Sequence, residues 1–184
     1  MEQIKPIETY YNGYRFRSRL EARWAVFFDS LGIPYLYEPE GFVLPNGDWY
    51  LPDFYLPDCK QFFEVKGTIR SGKDWQKIQN VAKAGHAITV GYDNGVFLAS
   101  DWWHTEECEF EIEEFISTGW LCQCNECGKY WFTGSSGFYA CQCCGAYDGD
   151  HHFQIVMEDS DGAAPGGSIW DVAKQARFEH GERP

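Results

Sequence analysis

No stretch of this sequence is apolar for the length a bilayer-spanning helix requires. Met1 to Tyr11 likewise lacks the basic stretch and following apolar run of a secretory leader. These absences predict a soluble, unsecreted chain with no membrane partner. Internal repeats are also missing. Basic residues are few: 15 Lys and Arg stand against 28 Asp and Glu, a net charge of −13. Such a deficit argues against tight nonspecific binding to nucleic acid, which is driven by basic side chains releasing counterions from phosphate. The deficit is uneven, however. Residues 1 to 100 carry 11 basic and 12 acidic residues, whereas residues 101 to 184 carry 4 and 16. This asymmetry points to separate units and leaves the first half able to present a local basic patch.

What is present suffices for a folded core. Hydrophobic residues make up 44% of the chain and aromatic residues 18%, enough apolar surface to offset the entropy of ordering. Leu20, Trp24, Phe27, Phe28 and Leu31 recur at helical spacing, with Ser18 as the expected N-cap and Gly32 and Pro34 as the stop. A meander of short strands is predicted next, through Tyr35–Glu38, Phe42–Leu44, Trp49–Leu56 and Gln61–Lys66. A second helix is predicted over Asp74–Ala84, then strands over His86–Gly91 and Val96–Ala99. The order of helix, strands, helix, strands predicts an α/β fold. A final short helix is expected from Ser168, with Ser168 and Asp171 at capping spacing.

The densest chemical signal is Tyr50-Leu-Pro-Asp53-Phe54 followed by Phe63-Glu64-Val65-Lys66-Gly67. Alternation along a strand puts Glu64 and Lys66 on one face while Phe63 and Val65 turn into the core. A hairpin around Asp58-Cys59 would set Asp53 directly opposite Glu64. Two carboxylates and a backbone carbonyl suit a hard divalent cation such as Mg²⁺ or Mn²⁺, which activates a water and polarises a phosphoryl oxygen. A lysine on the same face can orient that water or offset charge on the phosphate. The plain alternative is that Glu64 and Lys66 decorate an exposed strand face.

The segment Phe16 to Gly67, with Ser18-Arg-Leu-Glu21, Tyr37-Glu-Pro-Glu40, Leu51-Pro-Asp53-Phe54 and Glu64-Val-Lys66, resembles the core of the PD-(D/E)XK (restriction-endonuclease-like) nuclease superfamily, especially its small phage-type and transposon-end-cleaving members. The resemblance implies a mixed sheet flanked by helices, and a metal site of Asp53, Glu64 and the Val65 carbonyl with Lys66 as the catalytic lysine. Glu21 matches the glutamate of the first helix that often joins this set. Three residues after Ser18, it also fits a capping box, and the two roles can coexist. Glu38 and Glu40 are expected in solvent. Arg15, Arg17, Arg19, Arg23, Arg70, Lys73 and Lys77 flank these elements and are candidate DNA phosphate contacts, or simply solvent-facing cations. Tyr10, Tyr11 and Tyr14 are stacking candidates, with core packing the default for residues this aromatic.

Residues Trp120 to Tyr147 hold six of the eight cysteines. Cys124-Asn-Glu-Cys127-Gly128 and Cys141-Gln-Cys-Cys144-Gly145 are paired C-x-x-C-G units, the spacing of a zinc ribbon in which each turn aims two thiolates at one centre. Zn²⁺ held by Cys124, Cys127, Cys141 and Cys144 is expected to stabilise a module too short to build its own core. Cys122 and Cys143 offset the pattern and leave the ligand set open, Cys59 and Cys108 read as free thiols, and disulfides are the rival reading. His151-His152 is either a second metal site or a solvated pair. Lys129 is the sole basic residue of this stretch, which favours a structural or protein-docking role for it.

The expected organisation is a nuclease core over 1–105, an acidic connector over 106–119, a zinc module over 120–150 and a tail over 151–184. The leading expectation is a Mg²⁺-dependent deoxyribonuclease acting in the cytoplasm of a bacterial or phage-infected cell. The alternative is a noncatalytic protein of nuclease fold whose acidic second half docks a basic partner or imitates DNA. Pairing of two chains is left open.

Overall fold

A computed structural model describes residues 6–67, 72–93, 97–100, 116–134, 140–146, 153–158 and 167–178. Arg70, Cys108, His151-His152 and the acidic run of 106–115 lie outside the described residues.

The chain opens with a hairpin of β1 (Thr9–Tyr11) and β2 (Tyr14–Phe16) that the sequence reading had not anticipated. Its turn is Asn12-Gly13, with φ of 45° and 82°, the left-handed pair a two-residue hairpin loop demands. Helix α1 (Arg19–Leu31) follows as expected. Ser18 in extended conformation accepts the Glu21 N–H, and Gly32 at φ 66° closes the C-terminus.

The strand-rich stretch divides. β3 (Leu36–Tyr37) pairs antiparallel with β6 (Phe54–Leu56), whereas β4 (Phe42–Val43) and β5 (Trp49–Tyr50) form their own two-stranded hairpin. The expected continuous meander is thus interrupted, with Pro52 separating β5 from β6. β7 (Gln61–Val65) pairs antiparallel with β6 in the register Phe54–Phe63, Tyr55–Phe62, Leu56–Gln61. Helix α2 (Gly72–Lys83) then carries the chain over to β8 (Ile88–Gly91), which lies parallel to β7, and β9 (Phe97–Ser100) returns antiparallel. The result is a mixed α/β sheet.

That sheet does not stop at the cysteines. β10 (Ile116–Cys124) begins inside the stretch expected as connector, pairs with β9 through Ile116–Thr118, and runs on into the cysteine-rich region. There β11 (Tyr130–Gly134) and β12 (Phe153–Glu158) both pair antiparallel with β10. Helix α3 (Gly167–Gln175) starts within one residue of the expected Ser168.

Two apolar clusters sandwich the sheet. On one face Trp24, Phe27 and Phe28 of α1 meet Phe54, Phe63, Leu121, Trp131 and Phe132, with the Trp170 ring of α3 packed 4.5 Å from that of Trp24. On the other, Ile78, Val81 and Ala82 of α2 cover Ile88 and Val90, and Tyr50 and Leu44 arrive from the separate hairpin. Each large side chain buried here contributes roughly 1.5–3 kcal/mol. Alternation along β7 sends Phe63 and Val65 to the first cluster and Phe62 to the second, which leaves Glu64 on the α2 side beneath Tyr50.

Candidate functional site

β6 and β7 bring the carboxylates together. Their register, carried one pair past Phe54–Phe63, sets Asp53 opposite Glu64 at the open end of the hairpin. Both are buried, at 5% and 3% exposure, and Glu21 reaches the same region from α1 at 7%. Phe62 and Lys66 donate their N–H groups to Ala87 and Gly91 at 2.9 Å, so Val65 between them turns its backbone groups the other way. Its N–H donates to Asp53 Oδ2 at 2.8 Å, and its carbonyl faces the same side.

Each acid is held by identifiable donors. Lys66 Nζ donates to Glu64 Oε1 at 2.6 Å, and the Tyr50 hydroxyl donates to Glu64 Oε2 at 2.8 Å. Arg17 spans two acids, Asp53 Oδ1 at 2.5 Å and Glu38 Oε1 at 2.7 Å. Glu38, expected in solvent, is therefore a half-buried partner of Arg17. Glu21 receives the Ser18 hydroxyl at 2.7 Å on one oxygen, and the Tyr37 hydroxyl at 2.6 Å and the Arg17 N–H at 3.1 Å on the other. It caps the helix and borders the site at once.

Burial and the neighbouring Glu64 charge push the Asp53 carboxyl up to about 7, against the opposing pull of Lys66 and the Val65 N–H. Burial works against the Lys66 ammonium, but the adjacent Glu64 charge more than offsets it and raises the lysine above its ordinary value. Tyr50 is likewise driven well up by burial and by Glu64, so its hydroxyl stays a donor. The cluster is an acidic pair kept in an apolar setting with two cations laid against it.

The other expected cations scatter. Arg15 pairs with Glu8 at the surface, and Lys73 is exposed at the start of α2. Lys77 sits 5.0 Å from the centre of the Tyr50 ring, beside the acids. Arg23 pairs with Asp93 at 2.9 Å, and together with Arg19 it faces α3. Tyr14 packs against Tyr35 and Tyr37, Tyr11 against Phe178, and Tyr10 lies exposed under Arg15. A cavity of about 800 Å³ lies elsewhere, among Tyr55, Cys59, Phe62, His86 and Cys141.

The ligand atoms of Cys124, Cys127, Cys141 and Cys144 all lie within 4.8 Å of one another, a cluster that can hold a metal such as zinc. The two turns are alike. Gly128 N–H donates to the Cys124 carbonyl at 2.9 Å and Gly145 N–H to that of Cys141 at 2.7 Å, with the two glycines at φ 69° and 74°. For Cys124, burial is outweighed by N–H groups of Cys127 and Glu126, which lower its thiol. Cys122 is buried on β10, and Cys143 turns away toward the Tyr130 carbonyl and Cys59. No disulfide forms among the described residues. The carboxylates of Glu21, Asp53 and Glu64 do not make a second group as close as the cysteines.

Gln61 ties the two regions together, a role the sequence reading missed. Its amide donates to the Phe132 carbonyl at 2.5 Å and accepts the Phe132 N–H at 2.9 Å, both buried. Phe132 in turn packs 5.2 Å from Phe63. Among the described residues no helix is long and apolar enough to cross a membrane. No protein-family model, curated protein or solved structure matches this chain.

Proposed function

We propose that this protein is a divalent-metal-dependent nuclease of restriction-endonuclease-like architecture that hydrolyses phosphodiester bonds in DNA. One observation carries the reading: Asp53 and Glu64 are buried side by side with Lys66 against them, and Asp53 is driven up to about 7 by that burial and by its neighbour. A paired buried acid is costly to a fold, and a hard cation bound between the two carboxylates would offset that cost. The mixed sheet with helices on both faces supports the same assignment.

The donor set fits Mg²⁺ or Mn²⁺: Asp53, Glu64 and the Val65 carbonyl offer hard oxygens on one side of β7. A bound cation there would supply an activated water and polarise the scissile phosphate. The chain's own residues do the rest. Val65 N–H and the Tyr50 hydroxyl fix one oxygen of each acid, leaving the other to be exchanged between cation and metal. Lys66 Nζ, released from Glu64, is placed to orient the nucleophile or to neutralise charge on the phosphorane. Arg17, released from Asp53, becomes free to take a nonbridging phosphate oxygen. Glu21 positions Arg17 through its backbone N–H, and zinc on the four cysteines stabilises the β10–β12 end of the sheet.

A second reading is favoured by a specific observation: every one of these carboxylates already has protein donors. A self-satisfied ion-pair network suits a noncatalytic protein that docks a basic partner through its acidic half. Incubation of the zinc-loaded protein with linear, circular, branched and single-stranded DNA in Mg²⁺ or Mn²⁺ separates the two. Cleavage that disappears in Glu64→Gln supports the nuclease; absence of cleavage with every substrate, alongside capture of a basic protein insensitive to Asp53→Ala, supports docking.

A further inference from the structure

Between α1 and the end of α3 lies a polar pocket of about 470 Å³ whose lining includes Arg19, Arg23, Lys174, Arg177 and Phe178. We infer that this pocket binds a phosphate group of a nucleic-acid strand. Its anion chemistry stands on the pocket itself; the nucleic acid as its source rests on the nuclease reading above.

Four cationic side chains around one cavity are unexpected in a chain of net charge −13, and more so because residues 101 to 184 hold only 4 basic residues, of which Lys174 and Arg177 are two. Arg19 and Arg23 are one helical turn apart on α1, a like-charge spacing that costs the helix stability. Among the described residues Asp93, on Arg23, is the one carboxylate paired with any of the four. The Nε atoms of Arg19 and Arg23 are buried and have no hydrogen-bond partner. A cavity lined by four cationic side chains, with one carboxylate paired among them, suits an anion carrying several acceptor oxygens.

The cradle is also firmly built. Trp170 packs at a tilt against Trp24 at 4.5 Å and edge-on against Phe27 at 5.7 Å, and its indole N–H donates to the Asp93 carbonyl at 3.2 Å. Phe178, beyond the helix, packs edge-on against Tyr11. These contacts hold Lys174 and Arg177 over α1. Asp93 lies two residues past Gly91, whose carbonyl receives the Lys66 N–H. Pocket and carboxylates therefore both lie toward the C-terminal ends of β7 and β8.

The test uses the full zinc-loaded chain without Mg²⁺, so that binding is read apart from cleavage. Short duplexes with 5′-phosphate or 5′-hydroxyl ends are titrated by fluorescence anisotropy across a range of salt. Lys174 and Arg177 are exposed, so Lys174→Gln/Arg177→Gln is expected to fold normally, as its melting temperature would verify. It should bind at least tenfold more weakly, with a salt slope smaller by roughly two. In parallel, inorganic phosphate should shift the Nε resonances of Arg19 and Arg23 in the wild type and not in the variant. A loss larger for 5′-phosphorylated ends identifies a terminal phosphate; an equal loss for both identifies an internal diester, and either supports the site. Unchanged affinity and salt slope in the variant overturn it, even if the wild type cleaves DNA. Phosphate shifts without duplex binding overturn nucleic acid as the source. Failure to cleave with phosphate and duplex binding intact sinks the nuclease reading and leaves the pocket standing.

Discussion

The guanidinium of Arg17 lies 2.5 Å from the buried Asp53 carboxylate and occupies the oxygen that the Val65 N–H leaves free. A metal binding at Asp53 must displace it. Arg17 is more than half exposed, so this pair is worth only about 0.2–1 kcal/mol. Arg17→Gln is accordingly expected to bind Mn²⁺ up to about fivefold more tightly by calorimetry, a ratio set by that energy. Cleavage at saturating metal should nonetheless slow, because a phosphate contact is lost. Unaltered Mn²⁺ affinity would mean that arginine and metal do not compete.

The raised carboxyl of Asp53 makes the sign of a pH effect definite. Its ordinary value is 3.8 and its folded value about 7, so the fold prefers the protonated form. The stability this contributes is complete below the lower value and is lost as pH rises through the upper one. Asp53→Asn does not titrate. In buffer without added divalent cation its melting temperature should gain on the wild type between pH 5 and pH 8, and Mg²⁺ should raise the wild-type value at pH 8. A difference constant with pH would contradict the burial of an ionisable Asp53.

Gln61 predicts that the cysteine-rich end and the carboxylate end unfold together. Gln61→Ala strips bonds from two buried backbone groups of Phe132, at about 1–3 kcal/mol each, and should lower the melting temperature by roughly 5–15 °C. Removing zinc with a chelator should shift the whole melting transition downward as one step, since Trp131 and Phe132 belong to the same core as Phe28 and Phe63. Two separate transitions would show that the modules are independent.

Gly91 admits no larger residue. A Cβ there would come within 2.5 Å of both Phe63 and Trp24, rings at the centre of the core. Gly91→Ala should cost about 1–3 kcal/mol, read by urea denaturation. Because the Gly91 carbonyl holds the Lys66 N–H, cleavage should fall as well.

Local chemistry was legible in the sequence, and distant pairing was not. Helix α1 with its Ser18 and Gly32 ends, the β6–β7 register and the four clustered cysteines follow from short-range spacing, and each is found where expected. The Asn12-Gly13 hairpin carries a local signal of its own, the Asn-Gly pair of a two-residue turn. Arg17 with Asp53, Gln61 with Phe132 and Trp170 with Trp24 join residues far apart in the chain. Nothing local marks such partners. The passage of β10 from one region into the next was hidden for the same reason: Ile116–Thr118 take their strand form by pairing with β9.

The most direct test is the Mg²⁺ dependence of DNA strand cleavage by purified, zinc-loaded wild type beside Lys66→Ala, with folding of both verified by circular dichroism. Cleavage should require the divalent cation and fall at least a hundredfold in a variant that is still folded. Cleavage by Lys66→Ala at the wild-type rate, or cleavage indifferent to the cation, would contradict the nuclease reading.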